Sequence, residues 1–192
     1  MKDSILTRRR FAAMAFSTGL AAATPTWARE ALAGADGGLA VRRISGLRAR
    51  DWQDHFPSLR NDAILAVIDD RVLHYWGEDG FYRIYPTSVP LSDEMTRRGR
   101  TEVVLKRPEP DWRPTPSMIE RNPDLPRYVE PGPENPLGVR ALNLGWRYYL
   151  IHGTNDIRKI GRQSSSGCIG LFNEHIVEVF ERAKVGTQVR LI

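Results

Sequence analysis

The 192-residue chain has one cysteine, Cys168, and no apolar run of the roughly 20 residues that a membrane-spanning helix needs. A single cysteine has no internal partner, so a disulfide framework is excluded. None of the four histidines forms an H-x-x-x-H pair, and no second cysteine is present, which argues against a metal site. The thiol is therefore either a small buried side chain or a reactive one.

The amino terminus has the pattern of an export signal. The basic stretch TRRRF at 7–11 precedes a small, apolar run at 12–23, and TWA at 26–28 has small residues at the two positions that a signal peptidase recognises. The paired arginines indicate the twin-arginine route. We expect residues 1–28 to be cleaved and the mature protein to work in the periplasm, with no membrane span.

Removing this signal changes the charge balance. The whole chain has 28 basic and 23 acidic residues, and 24 and 22 remain after residue 28. A nearly neutral domain lacks the basic field that nucleic-acid binding requires, so no nucleic-acid partner is expected. About 164 residues remain, which suits a single domain, and we expect it to be a monomer.

Alternating and β-branched residues predict a mainly β fold. AILAVIDD and RVLHYW at 63–76 predict a hairpin, and further strands are predicted for FYRIYPTSV, TEVVLK, RYYLIH and TQVRLI. The strand at 147–152 would place Tyr148, Leu150 and His152 on one face. We expect a β-sandwich or flattened barrel.

One helix is predicted near the carboxyl terminus, packed on this β structure. Asn173 is a suitable N-cap, and Ile176, Val177 and Phe180 follow at helical spacing. The domain proper is expected to span residues 63–192. Residues 29–62 would form a loose lead-in with one short helix around 51–56.

Proline is concentrated in one segment. Nine of the thirteen prolines lie between Lys106 and Gly138. They exclude a long helix or a central strand there and predict a surface connection. A segment of this kind often forms one wall or a lid of a cleft, and the sequence leaves open whether residues 108–136 close over a site.

Cys168 follows Gly167 at the end of a serine-rich loop. A residue without a side chain lets an acyl group approach the backbone N–H groups, which could face an oxyanion. A free thiol, with a pKa of about 8.5, needs a base at neutral pH. His152, sixteen residues upstream at a strand end, is the candidate. These residues alone fit a buried, unreactive thiol equally well.

A basic cluster lies between these two residues. Arg158, Lys159 and Arg162 are most simply a solvated loop. Their functional interpretation is attraction of carboxylate-rich peptides.

The run at 151–189 resembles the catalytic stretch of the YkuD-type L,D-transpeptidases. In that family a His-Gly-Thr element precedes a Ser-x-Gly-Cys element and an Asn that opens a helix. Here these are HGT at 152–154, SSGC at 165–168 and Asn173. The resemblance extends to GPENPLG at 132–138 and TRRGRTEVV at 96–104, and covers roughly residues 63–192.

The resemblance implies a YkuD-like β domain that acts on peptidoglycan stem peptides in the cell envelope. Cys168 would form a thioester, and His152 would take the thiol proton with its ring oriented by the Gly153 carbonyl. The backbone N–H groups of Gly167 and Cys168, with Ser166, would hold the oxyanion. Since one acyl bond is exchanged for another, no cofactor, ATP or metal is required. The expected substrate contacts are Tyr148, Arg162, Ser165 and Gly170.

Two departures from the family pattern concern the substrate. Many members have His at the position of Ser166, and many carry Arg at the position of Gly170, which changes how a donor carboxylate is held. The donor bond is then either diaminopimelate–D-Ala, which gives a 3,3 cross-link, or L-Ala–D-Glu, which gives a 1,3 cross-link. Two other functions remain open: hydrolysis of stem peptides as an L,D-carboxypeptidase or endopeptidase, and peptidoglycan binding by a decayed site.

Overall fold

The computed structural model describes residues 47–192. The predicted export signal at 1–28 and the first part of the lead-in lie outside the described residues. Within residues 47–192, no helix is both long enough and apolar enough to cross a bilayer.

The described residues form a mainly β structure, which confirms the predicted fold class. Two α-helices accompany ten strands within residues 47–192: α1 (Pro116–Arg121) and α2 (Asn173–Arg182). The strands are β1 (Ala63–Val67), β2 (Val72–Trp76), β3 (Tyr82–Pro86), β4 (Val89–Pro90), β5 (Gly99–Arg107), β6 (Ala141–Leu144), β7 (Leu150–His152), β8 (Gln163–Ser165), β9 (Ile169–Gly170) and β10 (Gln188–Leu191).

Eight of these strands form one sheet in the order β3-β2-β1-β10-β5-β6-β7-β9, and β4 pairs with β8. The predicted hairpin is present as the antiparallel pair β1–β2. At the other end of the sheet, β7 and β9 are parallel, with His152 opposite Gly170. The short strand that follows Cys168 therefore lies beside the strand that ends at His152.

The core occupies both faces of β1. Ile64 and Ala66 belong to the larger apolar cluster, which includes Ile176, Val179 and Phe180 of α2. The spacing of these three residues buries one face of the helix. The helix and the burial of Ile176 and Phe180 were predicted, but Val177 of the predicted face is exposed and Val179 is buried in its place.

The lead-in is not loose where the structure describes it. Phe56 is buried against Leu65 and Trp76, and Trp52 and Leu59 pack on the same cluster. The short helix expected there is a 3₁₀ helix, Trp52–Asp54, capped by the Asp51 side chain. The second face of β1 supplies an apolar surface that holds this segment, because successive side chains of a strand point to opposite faces.

Two local predictions were wrong. Asn173 is the first residue of α2, and the N-cap is Phe172, which makes no side-chain cap bond. The strand predicted at 147–152 begins only at Leu150, because the chain first completes the turn of the β6–β7 hairpin. Tyr148 lies in that turn with φ 67°, a left-handed conformation that a β-strand does not contain.

Candidate active site

Cys168 and His152 line one cavity of about 580 Å³. Tyr148 and Leu150 share its wall with His152, so these three side chains face the same side as predicted, despite the shorter strand. The serine loop that precedes Cys168 forms another part of the lining.

The proline-rich segment contributes a further part of the cavity lining. Its lining residues are Asp111, Trp112, Arg113, Thr115, Met118, Leu125 and Pro136. Two backbone hydrogen bonds between Trp112 and Val129, of 2.8 and 2.9 Å, close the segment on itself. The buried Asn135 amide donates to the carbonyl oxygens of Pro110 and Glu130 at 2.9 and 3.0 Å. These bonds replace the ladder hydrogen bonds that the prolines cannot make.

The thiol of Cys168 is neutral at rest. Its S–H donates to the carbonyl oxygen of Tyr148, with Sγ and O 3.4 Å apart. Burial raises the pKa of the thiol to about 11, because a thiolate is poorly solvated there. Tyr148, whose carbonyl oxygen accepts this bond, is the residue with φ 67° in the turn before β7.

His152 is held as a neutral base. Its Nδ1 lies 2.5 Å from the carbonyl oxygen of Gly153. A carbonyl only accepts, so Nδ1 carries the proton and Nε2 has the free lone pair. Burial lowers the pKa of the imidazole to about 4; the hydrogen bond to Gly153 raises it, and the charge of Lys159 lowers it. The expected orienting contact of Gly153 is thus present in the geometry.

Asn173 fixes the loop that carries this carbonyl, a function that the sequence analysis missed. Its Oδ1 accepts from the backbone N–H of Thr154 at 3.1 Å and of Val139 at 3.3 Å. A Cβ on Gly153 or on Gly138 would lie 2.3 or 2.2 Å from the same oxygen. Both positions must lack a side chain for this close approach. In the sequence, the only sign of this function is the presence of the two glycines, since Asn173 by itself has the pattern of an N-cap.

The serine loop is braced by its own hydroxyl groups. Ser165 Oγ donates to the carbonyl of Cys168 at 2.5 Å and accepts a long bond, 3.4 Å, from the N–H of Gly167. Gly167 has φ 128°, a conformation that side-chain-bearing residues rarely adopt. Ser166 lines the cavity, in a place where it can contact a substrate.

Gly170 lies under Ser88 and not in the open cavity. The two residues exchange backbone hydrogen bonds of 2.8 and 3.1 Å. A Cβ on Gly170 would lie 2.3 Å from Ser88 Oγ and 3.8 Å from Cε1 of His152. Ser88 itself lines the cavity. The space that a longer side chain at 170 would need is therefore occupied by the Ser88 hydroxyl.

The basic cluster is divided by the fold. Lys159 lines the cavity, whereas Arg158 and Arg162, although described, do not. Arg158 is bound to Asp156 at 2.8 Å and is largely exposed. Within residues 47–192, no group of three or more His, Cys, Asp or Glu side chains is arranged to hold a metal ion.

Comparison with known proteins shows the family of the chain. Residues 61–191 match the family model YkuD, described as the L,D-transpeptidase catalytic domain. The chain is 48% identical, over the full length of both, to the protein named as the L,D-transpeptidase in the ATP synthase subunits region of Fuscovulum blasticum.

Matches at lower identity carry the same family name. L,D-transpeptidase ErfK/SrfK of Escherichia coli K12 is 34% identical across 70% of this chain, which spans only 45% of that protein. The structure of L,D-transpeptidase 3 from Mycobacterium tuberculosis, in complex with a faropenem-derived adduct, aligns with a TM-score of 0.53 at 15% identity. That alignment covers 68% of this chain and 60% of the other. This structural likeness supports the assignment of the mainly β fold of L,D-transpeptidases to the chain.

Proposed function

The chain belongs to the YkuD family of L,D-transpeptidase catalytic domains, and we propose that it cross-links peptidoglycan stem peptides through a thioester on Cys168. The observation that carries the proposal is the pairing in one cavity of a thiol and an imidazole whose Nδ1 is fixed by the Gly153 carbonyl. This arrangement leaves Nε2 free to accept a proton, as nucleophilic catalysis by cysteine requires.

The first half-reaction forms the acyl-enzyme. Thiol and imidazole are both neutral at rest. The S–H therefore leaves its bond to the Tyr148 carbonyl oxygen, and the proton passes from Sγ to Nε2 of His152 as Sγ attacks the carbonyl carbon of the L-residue. The carbonyl oxygen becomes an oxyanion, which the backbone N–H groups of Gly167 and Cys168, with Ser166, stabilise. The Gly167 N–H would exchange its long, 3.4 Å bond to Ser165 Oγ for this one. Collapse breaks the bond to the D-residue, whose amine leaves with the proton from His152.

The second half-reaction transfers the acyl group. The acceptor amine of another stem peptide attacks the thioester carbon and gives a proton to His152. Collapse of this second tetrahedral intermediate forms the new amide and expels the sulfur, which regains the proton. Water in place of the amine would give hydrolysis by the same residues, and the donor bond would be diaminopimelate–D-Ala or L-Ala–D-Glu.

The substrate contacts follow from the cavity lining. Tyr148, Ser166 and the wall at 108–136 enclose the space beside the thiol. Ser165 would act by shaping the loop, and Gly170 by keeping Ser88 and His152 close together. We place the mature protein in the periplasm, where the stem peptides are found.

Muropeptide analysis tests this function. The chain from Arg29 and a Cys168→Ala control are incubated with monomeric tetrapeptide muropeptides, and products are fragmented by mass spectrometry. Dimers that require the thiol are expected, and their fragments identify the donor bond. Cleaved monomers alone would show a hydrolase instead. No product, with no mass increase on Cys168 after carbapenem treatment, would favour a decayed, binding site.

A further inference from the structure

The cavity beside the thiol has more positive than negative charge. Three cationic side chains line it, Arg107, Arg113 and Lys159, against one carboxylate, Asp111. Arg107 forms an ion pair with Asp111, and Arg113 Nε lies 3.6 Å from the other carboxylate oxygen. The acid is therefore engaged by both arginines, which leaves excess positive charge in the site.

Of the three cations that line the cavity, Lys159 is the one that forms no ion pair with a carboxylate of residues 47–192. It ends the 3₁₀ helix Ile157–Lys159. Its backbone is held in place, since its carbonyl accepts from Ser164 Oγ at 3.2 Å and from the N–H of Arg162 at 3.1 Å. The partly exposed Lys159 thus adds a positive charge to the cavity that His152 and Cys168 line, and this charge is available to an incoming anion.

Arg158, the neighbouring residue, is by contrast paired with a carboxylate and does not line the cavity. Its side chain is 81% exposed and is bound to Asp156 through two guanidinium contacts of 2.8 and 2.9 Å. The two adjacent cations therefore differ in direction: Arg158 faces solvent and Lys159 faces the cavity. The influence of Lys159 on His152 agrees with this placement, because its charge lowers the pKa of the imidazole.

We propose that Lys159 is a specificity-determining residue that binds a free side carboxylate of the donor stem peptide. This inference rests on the proposed function. In a diaminopimelate-type stem, such a carboxylate belongs to the D-glutamate α-carboxyl group or to the second carboxyl group of diaminopimelate. The enzyme would then prefer stems with a free carboxylate over stems amidated at that group, because an amide loses the charge-assisted hydrogen bond.

A substrate-independent measurement tests the charge at the thiol. Cys168 is alkylated with iodoacetate, an anion, and with iodoacetamide, its neutral counterpart, and the ratio of the two rates is compared. Because both reagents react with the same thiolate, this ratio does not depend on the fraction of Cys168 that is ionised in each variant. We expect Lys159→Met to lower this ratio by about three- to tenfold, and Lys159→Arg and Arg158→Met to leave it unchanged. An unchanged ratio in Lys159→Met would overturn the proposal.

Turnover identifies the carboxylate. Wild type and the same variants are compared by kcat/KM on three tetrapeptide muropeptides: unmodified, amidated at D-glutamate and amidated at diaminopimelate. Amidation of one of these groups is expected to lower kcat/KM about tenfold in wild type and in Arg158→Met, and to have little effect in Lys159→Met. Equal sensitivity in Lys159→Met would refute the proposal. Absence of any turnover would instead refute the proposed function, and the alkylation ratio would still decide on Lys159.

Discussion

Replacing Asn173 by alanine tests whether this side chain positions the catalytic base. Its Oδ1 accepts from the N–H groups of Thr154 and Val139, on either side of the Gly153 carbonyl that holds His152. Alanine removes the acceptor and leaves a space where both N–H groups pointed. The loop after β7 would then be free to shift, together with the carbonyl that fixes the imidazole.

The expected loss of stability follows from the surroundings of the two hydrogen bonds that Asn173 accepts. Thr154 is only 3% exposed, so its N–H loses its partner without gaining water, whereas Val139 is 40% exposed and can be hydrated. We expect a loss of about 2 kcal/mol in the free energy of unfolding, most of it from Thr154. In a domain of this size, that lowers Tm by about 5 °C. A displaced base should also slow acylation on the order of 100-fold.

Asn173→Asp is the matched control, since a carboxylate keeps the acceptor oxygen and is favourable in the first turn of α2. Tm is measured by thermal unfolding, and acylation by the rate of mass increase on Cys168 with a carbapenem. The aspartate variant should resemble wild type in both. If the alanine variant keeps the wild-type Tm and acylation rate, Asn173 does not position the base.

Three further predictions concern other residues. Gly170→Ala should slow acylation because its Cβ would lie 2.3 Å from Ser88 Oγ, and adding Ser88→Ala should restore the rate; no rescue would contradict the steric argument. Gly167→Ala, forced to φ 128°, should lose about 1–2 kcal/mol in denaturant unfolding, and an unchanged midpoint would exclude this strain. Burial lowers the pKa of His74 from 6.5 to about 4, so the unfolded chain binds more protons between these values. His74 should therefore contribute a fall of about 3 kcal/mol in the free energy of unfolding from pH 7.5 to 4, beside a similar contribution from His152, and only the His74 contribution should be lost in His74→Phe; equal falls in wild type and variant would rule out His74 as a cause.

The spacing of apolar residues predicted those strands and helices whose buried faces can be read from neighbouring positions in the sequence. The β1–β2 hairpin and helix α2 were found because their apolar spacing matches the faces that they bury. The strand β6 was missed because it lies beside the proline-rich segment, whose composition indicates a surface connection. The turn at Tyr148 was missed because its φ of 67° is imposed by the β6–β7 hairpin and not by a turn-forming residue.

The sequence by itself determined the mainly β fold class, the helix near the carboxyl terminus and the candidate nucleophile and base, because these depend on residue type and short-range spacing. Only the tertiary structure decided which cation of the basic cluster lines the cavity and which backbone N–H groups donate to Asn173. It also decided that Ser88 fills the space above Gly170. These contacts join residues that are distant in the chain, and the pairing of strands fixes their distances.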